Sequence, residues 1–144
     1  MYGGSEAILI RPEHEWDLRV WDERAEDLHG ISQAEIAASG SAARDVAERL
    51  HRVLEFPALF VLSDAPQADS AWLDVLFEAT PRSRGFELHD ERRARLAFFD
   101  QAAVDWPEVE RQVAQQRGQM HRAEPDALAL ALRWRVAMNI ATKR

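Results

Sequence analysis

Hydrophobic positions along the chain fall into short clusters separated by glycine, proline and charge. The run Glu6 to Ile10 is apolar at four successive positions, Ala7 to Ile10, and ends at Arg11-Pro12, which predicts a strand. Residues 12–28 mix Trp16, Leu18, Val20 and Trp21 with many charges and predict a loop with a short helix, broken at His29-Gly30. Ile31 to Ile36 carries the strongest local signal. Ser32 and Glu35 match a capping box, and Ile31 with Ile36 matches the hydrophobic staple around it, so a helix starts there and ends near Gly40. From about Ala42 to Leu54, the residues Ala43, Val46, Ala47, Leu50, Val53 and Leu54 recur at helical spacing on one face.

Pro57 precedes a second predicted strand, Ala58 to Leu62, and Ser63-Asp64-Ala65-Pro66 reads as a turn. A helix then opens at Asp69-Ser70 with Trp72, Leu73, Leu76 and Phe77 as core side chains. Residues 81–85 form an arginine-rich loop, Asp90 to Arg93 carry no clear pattern, and Arg95 to Phe99 predicts a third strand. Val104 to Val109 repeats the capped and stapled design and starts a helix to about Gln116, closed by Gly118. Pro125 suits the first position of a final helix, where its missing N–H is no loss, and Asp126 falls in a first turn that favours negative charge. Strands alternating with helices predict a single α/β domain over residues 1–144, although three strands are few for a sheet that several helices must cover.

Composition narrows the function classes. The chain has 144 residues, 47% apolar and 30% charged, as expected of an ordinary globule with one core. Its apolar runs are short, so neither a membrane span nor a signal peptide is expected. Cysteine is absent, which removes disulfides, thiolate chemistry and cysteine-ligated zinc and is compatible with a cytoplasmic location. The formal charge is -7, from 25 acidic and 18 basic residues, so a general duplex-coating protein is not expected. A nuclease is compatible with that charge, because metal ions held by carboxylates supply the positive charge that meets phosphate.

Asp69 at a strand-turn-helix junction and Asp126 at the start of a helix are candidate ligands for a divalent ion, Mg2+ or Mn2+. The bland reading of Asp69 is a helix N-cap. His121 is a candidate proton acceptor, and His29 either holds a turn or touches substrate. His14, His51 and His89 show no partner pattern and are expected at the surface, Asp64 as a turn former. Trp72, Trp106 and Trp134 are expected in the core, whereas Trp16 or Trp21 could offer a surface on which a base stacks. Arg82, Arg84, Arg92, Arg93 and Arg95 form the main basic cluster, read chiefly as a solvated face. No phosphate loop, dinucleotide fingerprint, nucleophile elbow or zinc-protease motif is present.

Three blocks together resemble the DEDDh group of 3′-5′ exonucleases, in the ribonuclease H-like superfamily. Leu28-His29-Gly30-Ile31-Ser32 resembles the block that shapes the substrate groove. Leu62 to Leu73 resembles the second acidic motif, with Asp69 as its aspartate. His121 to Asp126 has the H-x-x-x-x-D spacing of the third, followed by an alanine-rich helix. The resemblance implies a ribonuclease H-like fold, a mixed sheet flanked by helices, acting on the 3′ end of single-stranded DNA or RNA by a two-metal mechanism. It makes Asp69 and Asp126 ligands of Mg2+ or Mn2+, His121 the general base, and His29, Gly30, Ile31 and Ser63 substrate contacts.

The family's first motif, D-x-E on the central strand, has no counterpart here, since Asp22-Glu23 and Asp90-Glu91 lack its spacing. The resemblance therefore implies a sheet truncated at its N-terminus. Such a sheet would be rearranged or completed by a second copy in a homodimer, unless translation starts upstream of Met1. The alternative function is a catalytically inactive remnant serving as an interaction or weak nucleic-acid-binding module.

Overall fold

The computed structural model describes residues 5–16, 21–54, 60–100, 104–116 and 123–142. They form two compact units, one of residues 8–91 and one of residues 1–7 with 92–144. Helix dominates both. Among the described residues no helix is long and apolar enough to cross a membrane.

The unit of residues 8–91 begins with β1 (Ile10–Arg11) and α1 (Glu23–His29). The Asp22 side chain caps α1 by accepting the Arg24 N–H, and Gly30 ends it in the left-handed region at φ 62°. α2 (Gln33–Ser39) starts where the capping box placed it, with the Glu35 N–H donating to Ser32 Oγ at 3.1 Å. β2 (Ser41–Ala42) runs parallel to β1 and leads into α3 (Ala43–Leu54). β3 (Val61–Ser63), α4 (Pro66–Phe77) and β4 (Leu88–Asp90) follow, with β3 and β4 parallel and Leu62 opposite His89.

The core of this unit is the contact of α3 with α4. Ala43, Val46 and Ala47 on one side meet Leu76 and Phe77 on the other, with Ile8, Ile10, Trp16, Leu50, Leu73 and Phe86 packed around them. His51 of α3 is buried, its ring edge-on to Phe77 at 4.8 Å and its Nε2, among the described residues, without a hydrogen-bond partner. The surface placement expected for His51 is corrected: its helical position carries it onto the face that α3 buries.

The other unit contains α5 from Arg92 onward (the helix spans Glu91–Phe98), α6 (Trp106–Gln116) and α7 (Ala123–Ala141). Asp105 caps α6 by accepting the Glu108 N–H at 3.1 Å. Phe99, Val109, Val113, Ala129, Val136 and Ala137 form the core, with Trp106 and Trp134 half-buried against it. Arg133 on α7 grips Glu110 on α6 through Nε at 2.8 Å and Nη2 at 3.3 Å. Arg95 reaches the same carboxylate at 3.6 Å and lies 4.4 Å from the Trp106 ring centre. A stacked guanidinium of this kind contributes about 0.5–2 kcal/mol.

The expected α/β fold with an N-terminally truncated mixed sheet is corrected. The strands described are two or three residues long and make two separate parallel pairs, β1 with β2 and β3 with β4, so no continuous sheet spans the helices. Instead of Glu6 to Ile10, Ile10 and Arg11 are the residues that pair here among the described ones, and they find β2 within the chain. The strand expected at Arg95 to Phe99 is helix α5 up to Phe98. Its sequence holds no β-branched residue and is rich in glutamate, arginine, alanine and leucine, which lose little freedom in a helix. The strand expected from Ala58 appears from Val61 to Ser63, and residues 55–59 lie outside the described residues.

Gly40 ends α2 where β1 crosses it. A Cβ there would sit 2.3 Å from the Ile36 carbonyl oxygen and 2.6 Å from the Arg11 nitrogen, both backbone atoms that cannot step aside. Gly40→Ala is therefore expected to lower stability by roughly 1–3 kcal/mol, whereas Ser41→Ala at the exposed neighbouring position stays near neutral. Urea denaturation midpoints of the two variants check this.

On α6, hydrogen bonds from Arg111 and Gln112 hold the Glu108 carboxyl well below its ordinary 4.5, at about 2, with the Arg111 charge adding to the effect. A depressed carboxylate stabilises the fold above its unfolded pKa, and that contribution disappears as pH falls through the folded value. The stability gap between the parent chain and Glu108→Gln is expected to be constant above pH 4.5 and to close as pH falls toward 2. Thermal melts across that range measure it.

Candidate functional site

A pocket of about 400 Å³ opens in the unit of residues 8–91. Ile10 of β1, Leu62 and Ser63 of β3, Leu88 of β4 and Trp16 form part of its wall. α4 supplies Val75 together with Asp69, Trp72, Leu73 and Leu76. Asp69 stands three, four and seven positions before Trp72, Leu73 and Leu76, which places these four on one stripe of the helix, with Val75 at its flank. Leu76 anchors that stripe in the core, and Trp72 ends it at the surface with 74% of its area exposed. The core position expected for Trp72 is corrected. Helical spacing identified its face, but that face borders an open pocket rather than another element.

The strand-to-helix junction fixes the polar part of the wall. Ser63 is buried, and its hydroxyl donates to Asp69 Oδ2 at 2.5 Å while accepting the Ala65 N–H at 2.9 Å. The serine thus satisfies the turn and holds the carboxylate of the next element. α4 starts at Pro66, not at Asp69, because proline suits the first helical position. Asp69 is therefore a first-turn residue, not an N-cap.

Ser63 and Asp69 are the expected site residues that the structure brings together. His29, Gly30 and Ile31 form a turn that does not line the pocket. There the Ile31 N–H donates to His29 Nδ1 at 3.0 Å, and the Gly30 N–H donates to the Glu26 carbonyl at 2.6 Å. Asp126 is half-buried in the first turn of α7, in the other unit. His121 lies outside the described residues.

The basic cluster is also divided. Arg84 pairs with Asp74 at 3.3 Å, donates to Ser70 and lies 5.7 Å from the Phe86 ring centre, whereas Arg95 is engaged with Glu110 and Trp106. Arg82, Arg92 and Arg93 are exposed.

The exonuclease resemblance is corrected by these findings. Among the described residues no group of three or more histidines or carboxylates is placed to hold a metal ion, so a two-metal centre is not assembled there. The short paired strands are not a ribonuclease H-like sheet. No family model, no curated protein and no solved structure matches the chain.

Ser63→Ala removes the acceptor of the Ala65 N–H and the donor to Asp69 together. It is expected to lower stability by about 1 kcal/mol, since both freed groups lie near enough to solvent to find water. Chemical denaturation checks the value, and a loss above about 3 kcal/mol would show that more than these two bonds depends on the hydroxyl.

Proposed function

We propose that this chain is a non-catalytic interaction module that receives a segment of a partner protein in the pocket beside Trp72. The exposed Trp72 carries the reading. A large aromatic side chain, 74% exposed at the rim of a mostly apolar pocket, is a poor arrangement for an unliganded surface and a good anchor for a partner. β3 adds to it. That strand pairs with β4 on one side and, among the described residues, with no strand on the other, so its free edge is available to an extended segment. A phosphate backbone is a poorer fit, because the described residues lining the pocket include Asp69 but neither arginine nor lysine. The cysteine-free sequence suits a cytoplasmic setting.

Panning a random peptide library on phage against the folded chain tests the reading. The peptides recovered are expected to bind Trp72→Ala at least about tenfold more weakly. The exposure of Trp72 lets the fold survive its loss, which circular dichroism verifies. Recovery of no binder, or of binders indifferent to Trp72→Ala, would overturn the proposal. So would manganese-dependent cleavage of labelled single strands that is lost in Asp69→Ala.

A further inference from the structure

One charged group stands in the wall of the pocket. Asp69 gives Oδ2 to the Ser63 hydroxyl, and among the described residues Oδ1 takes no hydrogen bond and no arginine or lysine pairs with the carboxylate. Its surroundings in the pocket are Ile10, Leu62, Leu73 and Leu76, with the rings of Trp16 and Trp72. Apolar walls screen charge poorly, so a carboxylate set among them acts on an incoming group more strongly than one in open water.

We infer that the segment received here carries an arginine or lysine beside an apolar side chain. The cation meets Asp69, and its apolar neighbour enters between Leu62, Leu73 and Leu76. This inference rests on the reading of the pocket as a partner-binding site and adds the chemistry of the partner. Trp72 lies one helical turn from Asp69 on the same face of α4, so a single cation can touch the carboxylate and an aromatic face together. The Ser63 hydrogen bond holds the carboxylate in place before the partner arrives, which spares the complex that ordering cost. The net charge of -7 draws basic segments toward the chain and repels acidic ones. A segment bearing a carboxylate or a phosphate at this position would face like charge in a poorly screened setting.

Fluorescence anisotropy on labelled synthetic peptides tests the inference. The peptides are those whose recovery by panning depends on Trp72, each made with arginine and with citrulline at its basic position. Citrulline keeps the shape and most of the hydrogen bonding but removes the charge. The exchange is expected to weaken binding to the parent chain about tenfold, and to Asp69→Asn by less than about twofold. Asp69→Asn retains an acceptor for Ser63, and the arginine-citrulline contrast on the parent chain needs no variant at all. Equal affinities of the two peptides, Trp72-dependent peptides lacking any basic residue, or the same tenfold loss on Asp69→Asn would each overturn the inference while leaving the pocket a partner site. If no peptide depends on Trp72, the pocket reading fails as well, and single-stranded oligonucleotides bound through Trp72 would place it with nucleic acid instead.

Discussion

Burial of the small-residue face of α3 against α4 is the contact on which the unit of residues 8–91 depends. Ala43 and Ala47 are fully buried, and their short side chains let Leu76 and Phe77 come close. β2 leads directly into α3, while β3 and β4 stand before and after α4, so the position of each short strand follows from that packing. A helix of α4's length is marginal alone in water. Its orientation therefore comes from Leu76 and Phe77, and the outward stripe of Asp69 and Trp72 is aimed by residues anchored in the core. The pocket borders the face of the helix whose inner residues hold the unit together.

Features set by neighbouring residues were legible in the sequence. Ser32 with Glu35 and Asp105 with Glu108 mark helix starts through hydrogen bonds that close within four residues, and both form. Features set by distant residues were not. The apolar positions of α3 and α4 announced faces, yet nothing local tells which face another element will cover, so Trp72 and Val53 are exposed and His51 is buried. Strands of two or three residues, such as Leu88-His89-Asp90, are too short to show a period. In α5 the spacing of Leu96 and Phe98 imitates strand alternation within a segment whose composition favours helix.

The same division explains how the exonuclease resemblance arose and why it does not hold. Its blocks are local, and each described block has a local use. Ser63 and Asp69 meet because a strand must turn into a helix, and the serine hydroxyl completes that turn. His29, Gly30 and Ile31 recur together because a helix ends and another begins there. Turn chemistry repeats across unrelated folds, whereas a metal centre needs several elements to converge. The described elements do not bring such a group together.

The turn between α1 and α2 also fixes the chemical form of one imidazole. His29 accepts the Ile31 amide hydrogen through Nδ1, so that nitrogen offers a lone pair and the ring proton resides on Nε2. Asparagine could accept the same hydrogen through its side-chain oxygen, whereas histidine makes the junction of two helices depend on a single tautomer.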